Sequence, residues 1–342
     1  MEILDKLRVA VIGVGIQGEN HVKAYKTHPR VDLVAVCDIN EERARAVAEK
    51  YGIGSIYRDY REMLGKEDLD LVSIATPDHL HLNPVLATVE SGVNALIEKP
   101  MATSYQDALK MVKAAKKKGV KVYVNFANRF NPPFAITKKR FTAGELGKPL
   151  YAYLRLSDTI YVPTKMLSWA SKTNVVFFLM SHTADLATWI FNSNVRRVRA
   201  FAHFEVLESL GIEVPDYVVA VLEFENGGRA VLESSWILPE TLPSVVDFVA
   251  EFLGTKGAVY ISTTRQTIEV ASVESHEYPK PLNIEEVNNR LIGFVKESIH
   301  HFVDAFLEKR EPIVNMEDGP RNVRILESIV KSFKEDRVIE LS

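Results

Sequence analysis

One cysteine, Cys37, stands among 342 residues, which leaves no intrachain disulfide and excludes a small scaffold held by bridges. Its place in an apolar run marks it as a small buried residue. Charge of one sign is lacking too. Lys and Arg number 42 against 45 Asp and Glu, the formal net charge is −3 and the two signs are interspersed, so the footprint of a nucleic-acid or anionic-membrane binder is missing. The run Lys116-Lys117-Lys118 reads as a solvated helix end, where cations favour the helix dipole. No apolar run is long enough to span a bilayer, and the acidic Glu2 and Asp5 do not suit a signal peptide. Repeats and low-complexity tracts are absent as well. These absences predict a soluble, cytoplasmic protein with neither nucleic acid nor membrane as a partner. What remains is ordinary for a globular chain: 46% hydrophobic and 25% charged residues, over a length that suggests two domains.

The first organised stretch is Arg8-Val9-Ala10-Val11-Ile12-Gly13-Val14-Gly15-Ile16-Gln17-Gly18. An apolar run too short for a core helix stops at a glycine cluster and a helix-compatible segment follows, which predicts a strand, a tight turn and a helix start. Gly13 suits the turn, Gly15 lets the backbone approach a pyrophosphate and Gly18 lets the helix pack on the strand; with Ile16 and Gln17 they form the expected cofactor turn. The helix N-terminus offers unpaired N–H groups to the phosphates. A second apolar run, 31–37, ends in Asp38, twenty residues past Gly18. An acid there accepts hydrogen bonds from both hydroxyls of the adenosine ribose and repels a 2′-phosphate, so NAD is expected over NADP.

From 7 to 124 the patterns alternate, with helices over 41–51, 79–91 and 104–118 between strands at 55–57, 69–74, 94–97 and 120–124. This is the rhythm of a doubly wound parallel sheet, which binds its ligand outside the carboxyl ends of its strands. Two such ends carry chemistry. Thr76 and Pro77 form a turn that walls the cofactor, while Asp78 reads as a helix cap. His79 and His81 are two apart and share no helical face, so no metal site is expected. Lys99, fixed between Glu98 and Pro100, either reaches a substrate hydroxyl beside the nicotinamide or is an ordinary surface lysine.

Beyond 124 the pattern turns to longer alternating strands, at 150–158, 195–204, 217–225, 229–236, 245–253 and 258–262, with Asn226-Gly227-Gly228 as a hairpin turn. Amphipathic helices are expected over 285–309 and 317–334. The division is a Rossmann domain over 1–124 and, over 125–342, an α+β domain with an open, largely antiparallel sheet for substrate binding and oligomerisation. One helix, 180–190, interrupts the strands. His182 and Asp185 are three apart on it and share a face, pointing either into a cleft or into the core. Tyr161, Trp169 and Lys165 lie in a loop-like segment, where the aromatics either stack on a sugar ring or pack.

Taken together these residues resemble the glucose-fructose oxidoreductase, inositol dehydrogenase and rhizopine catabolism family of dehydrogenases, over nearly the whole chain. Gly13, Gly15 and Gly18 match its dinucleotide turn, Asp38 its ribose acid, Thr76-Pro77 with His81 its T-P-x-x-x-H element and Glu98-Lys99-Pro100 its E-K-P signature. Asn128-Arg129-Phe130-Asn131-Pro132 is similar to its R-R-F-x-P stretch, and Pro312 with Glu317-Asp318-Gly319 to its C-terminal segment. The resemblance implies that Lys99 contacts substrate and nicotinamide, that the Lys99–Pro100 peptide is cis, and that Arg129 with Tyr161, Trp169, His182 and Asp185 surrounds a sugar, cyclitol or polyol. It also implies a homodimer or homotetramer. The family's catalytic helix reads D-x-G-x-H-x-x-D. His182 and Asp185 match its last two named positions, whereas Phe178 and Met180 stand where the first Asp and the Gly belong.

Without that carboxylate, an apolar neighbour disfavours an imidazolium at His182 and suits it to donating a hydrogen bond. Lys99 beside a cationic nicotinamide is expected to have a lowered pKa and to act as the base, a shift that Glu98 opposes. The departure at Phe178 keeps a second reading open, a nucleotide-dependent sensor of the same fold without turnover.

Overall fold

The computed structural model describes residues 6–341, so Glu2 and Asp5 lie outside the described residues. In chain order the elements run β1 (Leu7–Ile12), α1 (Ile16–Thr27), β2 (Val31–Cys37), α2 (Glu41–Tyr51), β3 (Ser55–Tyr57), α3 (Tyr60–Lys66), β4 (Leu71–Ile74), α4 (Leu82–Glu90), β5 (Asn94–Ile97), α5 (Tyr105–Lys118) and β6 (Val122–Val124). There follow α6 (Pro132–Thr142), β7 (Pro149–Asp158), α7 (Ser181–Phe191), β8 (Val195–His203), α8 (Val206–Ser209), β9 (Tyr217–Phe224), β10 (Arg229–Ser235), β11 (Val246–Gly254) and β12 (Ala258–Ser262). Two short hairpins, β13 (Val270–Ala271) with β14 (His276–Glu277) and β15 (Glu285–Val287) with β16 (Arg290–Ile292), precede α9 (Phe294–Leu307), α10 (Asp318–Glu335) and β17 (Ile339–Glu340). Contacts divide the chain into two units, Met1–Phe130 with Leu282–Arg321, and Asn131–Pro281 with Asn322–Ser342.

In the first unit six parallel strands lie in the order β3-β2-β1-β4-β5-β6, the doubly wound arrangement expected from the alternation. Helix α5 shows how its helices are specified. Its buried positions Ala108, Met111, Val112 and Ala115 follow the helical repeat, the lysines gather in its last turn, and Gly119, at φ 72°, ends it in a left-handed conformation. The second unit carries a seven-stranded sheet, order β12-β11-β7-β10-β9-β8-β17, antiparallel except for the β7–β10 pair. Strands β9 and β10 alternate strictly. Ala152, Leu154, Val218, Ala220, Leu222, Ala230, Leu232, Ala250 and Phe252 enter a core with Phe134 of α6 and Leu186 and Ile190 of α7. The opposite face keeps Tyr151, Tyr217, Leu253 and Tyr260 exposed.

The structure corrects the expectation of one helix over 285–309. Residues 285–292 form the β15–β16 hairpin, because Asn288 and Asn289, at φ 52° and 60°, adopt the left-handed pair that a tight hairpin turn needs. Gly293, at φ 110°, then passes so close to Asn283 that a Cβ would lie 2.3 Å from its carbonyl oxygen, and only past it does α9 begin. Helices α3 and α6 carry no strong apolar stripe and went unpredicted; α6 starts at Pro132-Pro133, where proline's fixed φ suits a first turn. No helix among the described residues is long and apolar enough to cross a membrane.

Candidate active site

The site-bearing residues of the first unit all follow carboxyl ends of its strands. Gly13, at φ 82°, makes the turn after β1; a Cβ there would meet the Ala75 carbonyl and Thr76 nitrogen at 2.8 Å. At Gly18 a Cβ would lie 1.8 Å from Gly13 O, so the helix approaches the strand as closely as backbone permits. Gly15 has nothing within 4 Å of its would-be Cβ, and it caps α1 without any side-chain hydrogen bond. The first N–H groups of α1 are therefore left for an anion, beside the exposed side chains of Ile16 and Gln17.

Asp38 follows β2 and is 7% exposed. Its Oδ2 accepts from Val14 N at 3.0 Å and its Oδ1 from Asn40 N at 2.9 Å, which fixes the carboxylate while Oδ1 keeps a second lone pair for a ribose hydroxyl. Arg43 approaches from α2, with Nη1 at 3.4 Å from Oδ2. After β4, the Thr76 hydroxyl is buried with no hydrogen-bond partner. An orphaned buried hydroxyl, an open Gly15 and a fixed Asp38 along one sheet edge form a donor and acceptor set that fits a dinucleotide. His81 joins the turns: its ring nitrogens lie 2.9 Å from Pro100 O and 2.9 Å from Thr76 O. It is thus a buried structural clamp, and no group of three or more metal-type ligands occurs among the described residues.

After β5 come Glu98 and Lys99, with a cis Lys99–Pro100 peptide. Glu98 is the centre of a buried chain that the sequence reading missed. His21 Nε2 lies 2.8 Å from Glu98 Oε1, and His21 Nδ1 lies 2.8 Å from Ser73 Oγ, which meets Tyr25 OH at 2.6 Å. Asn125 Nδ2 donates to Glu98 Oε1 at 2.8 Å, and Ser298 Oγ donates to Asn125 Oδ1 at 2.5 Å. The Lys99 backbone N–H donates to Glu98 Oε2 at 3.2 Å. Burial alone would push the Glu98 carboxyl up; the hydrogen bond and charge of His21, the hydrogen bond from Asn125 and the Lys99 charge outweigh it and hold it down at about 2. Tyr25 is pushed up from its ordinary value, chiefly by burial. The members of this chain come from α1, β4, the turns after β5 and β6, and α9, and Ser298 stands 173 residues from Asn125, so no local spacing links them.

Arg129, also in the first unit, is 3% exposed; its Nη1 donates to Ile313 O at 3.1 Å and to Asp318 Oδ2 at 2.9 Å, tying the start of α10 to the turn after β6. In the second unit, a wide helical turn over Val176–Met180 leads into α7, which carries His182, half-buried, and Asp185, buried, on one face. Phe178 sits one turn before His182, and its ring meets Trp169 at 6.1 Å and the wholly buried Trp236 at 5.6 Å between centroids. An aromatic cluster thus occupies the neighbourhood of Phe178, the position at which the resembled pattern carries a carboxylate. Tyr161 is 39% exposed, and Lys165 is drawn to a surface pair with Glu240 at 2.8 Å.

A Rossmann sheet with a glycine turn, a ribose acid and an orphaned hydroxyl at its edge, in a chain with a second α/β unit, defines a nicotinamide-dependent oxidoreductase. Two family models match: "Oxidoreductase family, NAD-binding Rossmann fold" over residues 7–126 and "Oxidoreductase family, C-terminal alpha/beta domain" over 138–341. The chain belongs to the glucose-fructose oxidoreductase, inositol dehydrogenase and rhizopine catabolism family of NAD-dependent oxidoreductases. It is 27% identical over 341 residues to a scyllo-inositol 2-dehydrogenase (NAD(+)) of Bacillus subtilis, covering 98% of this chain and 96% of that one. To a myo-inositol 2-dehydrogenase of Thermotoga maritima it is 26% identical over 348 residues, covering 98% of each. Its fold is that of a solved myo-inositol 2-dehydrogenase from Lactobacillus plantarum, with TM-score 0.86 at 19% identity over 99% of this chain and 100% of that one.

Proposed function

We propose that the enzyme oxidises a secondary hydroxyl of a sugar, cyclitol or related polyol, with Lys99 taking the hydroxyl proton. The observation that carries this reading is Lys99 at the carboxyl end of β5, its backbone held by the buried Glu98 carboxylate, beside the turn that bears the orphaned Thr76 hydroxyl. Relatives named for scyllo- and myo-inositol support the substrate class.

NAD, when bound, supplies the hydride acceptor. The neutral amine of Lys99 removes the hydroxyl proton as the substrate C–H bond gives up its hydride. His182 donates a hydrogen bond to the substrate oxygen, since Phe178 offers no charge to stabilise an imidazolium. Asp185 holds the polar surroundings of His182, and Arg129, Tyr161 and Trp169 are further contacts that we assign to the substrate. Thr76, Pro77 and Glu98 belong with the glycine turn and Asp38 to the cofactor's side.

The test follows NADH formation with a panel of inositol isomers, aldoses, other polyols and sugar acids. Turnover with a polyol is expected; intact NAD binding without turnover across the panel would favour the sensor reading. We also assign the enzyme to the cytoplasm, in keeping with one buried, free cysteine. A homodimer or homotetramer completes the reading. On the exposed sheet face Val221 pairs with Val231, and Val231 with Tyr153, an apolar patch suited to a second copy of the chain. Light scattering at micromolar concentration should show an oligomer, and Val221→Glu with Val231→Glu should reduce it to monomers; a wild-type monomer would contradict the assignment.

A further inference from the structure

The direction in which a dinucleotide lies across the first unit follows from the strand order. Asp38, the ribose acid, ends β2, and the pyrophosphate turn follows β1. The sheet order β2-β1-β4-β5 then carries the nicotinamide half toward Thr76 after β4 and Glu98-Lys99 after β5. At that end stands the buried carboxylate of Glu98, held by a chain of polar side chains. Behind it Tyr25 OH lies 2.6 Å from Ser73 Oγ, Ser73 Oγ 2.8 Å from His21 Nδ1, and His21 Nε2 2.8 Å from Glu98 Oε1. Glu98 accepts from the Asn125 amide and from the Lys99 N–H, the acceptor role of an ionised carboxylate. The depressed carboxyl of Glu98 agrees with its being ionised.

We propose that Glu98 is a fixed counter-charge that faces the cationic nicotinamide before hydride transfer and the Lys99 ammonium after it. The proposal rests on the reading of Lys99 as base. In the oxidation the substrate O–H bond breaks and a new N–H bond forms at Lys99 Nζ, while the substrate C–H bond breaks and its electron pair leaves as hydride. One positive charge is discharged on the nicotinamide as another appears on the lysine. Glu98 therefore has one cation to balance on either side of the step, and the site never buries an uncompensated charge. His21, Ser73 and Tyr25 are positioning residues in this account, since they act through the carboxylate.

The consequence is measurable without turnover. Binding of NAD and of NADH is titrated separately by fluorescence, and the ratio of the two affinities is compared between variants. Glu98→Gln keeps the shape and removes the charge, so its NAD affinity should fall relative to NADH on the order of tenfold. Lys99→Met removes the competing ammonium and should move the ratio the other way. Both affinities refer to folded protein, so a loss of stability leaves the ratio intact. An unchanged ratio in Glu98→Gln overturns the proposal; should that variant bind neither form, the Lys99→Met ratio decides, and a ratio that does not rise overturns it. The base assignment fails separately, if Lys99→Met still turns over.

Discussion

His21 Nε2 lies 2.8 Å from Glu98 Oε1, with the histidine wholly buried and the carboxylate nearly so. This bond ties α1, whose N-terminus faces the pyrophosphate, to the residue that precedes Lys99. The turn assigned to the cofactor and the turn that carries the proposed base are thereby linked by a buried hydrogen bond.

Acid stability should expose that bond. The Glu98 carboxyl stands at about 2 in the folded chain against its ordinary 4.5. A depressed folded value means stability that is present above the unfolded pKa and lost as pH falls toward the folded one. By linkage the amount is about 3 kcal/mol, lost between roughly pH 5 and pH 2. Denaturant unfolding across that window should show this decline in the wild type and a correspondingly smaller one in Glu98→Gln. Equal slopes for the two proteins would contradict it.

The glycines of the cofactor turn should separate fold from binding. Gly18→Ala sets a Cβ against the Gly13 backbone, which has no room to yield, and should cost roughly 3 kcal/mol or more. Gly15→Ala meets open space and should stay within about 0.5 kcal/mol of the wild type, yet weaken NAD about tenfold or more by filling the pyrophosphate's approach. Thermal melts and NAD titration of both variants check the contrast.

Asp38 should set the choice of cofactor. Removing its carboxylate in Asp38→Ser frees Arg43, now 3.4 Å from it, to meet a 2′-phosphate. The preference for NAD over NADP should fall by about 10–100-fold, the loss of one or two charge-assisted hydrogen bonds. An undiminished preference in paired NAD and NADP titrations would count against the role.

Much of this was legible in the chain. The strand at 31–37, the helix at 41–51 and the strands at 55–57, 94–97 and 258–262 fall where period and punctuation place them, because turn residues bound them. The hairpin at 285–292 was not, since its charged residues fit a helical surface equally well and only the Asn288-Asn289 backbone decides. The cofactor edge could be read because its glycines and acid lie at fixed distances along β1, α1 and β2. The Tyr25–Ser73–His21–Glu98–Asn125–Ser298 chain could not, because five separate elements supply it and its members look, one by one, like ordinary core polar residues.

The central claim is that Lys99, not His182, takes the proton. The direct measurement is kcat with a turned-over polyol for Lys99→Met and His182→Asn, beside NAD affinity for each. Lys99→Met should lose turnover by about 10²–10⁴-fold, the contribution of a general base, while still binding NAD, and His182→Asn should keep measurable activity. A dead histidine variant beside an active lysine variant would reverse the roles and require another group to replace the carboxylate absent at Phe178.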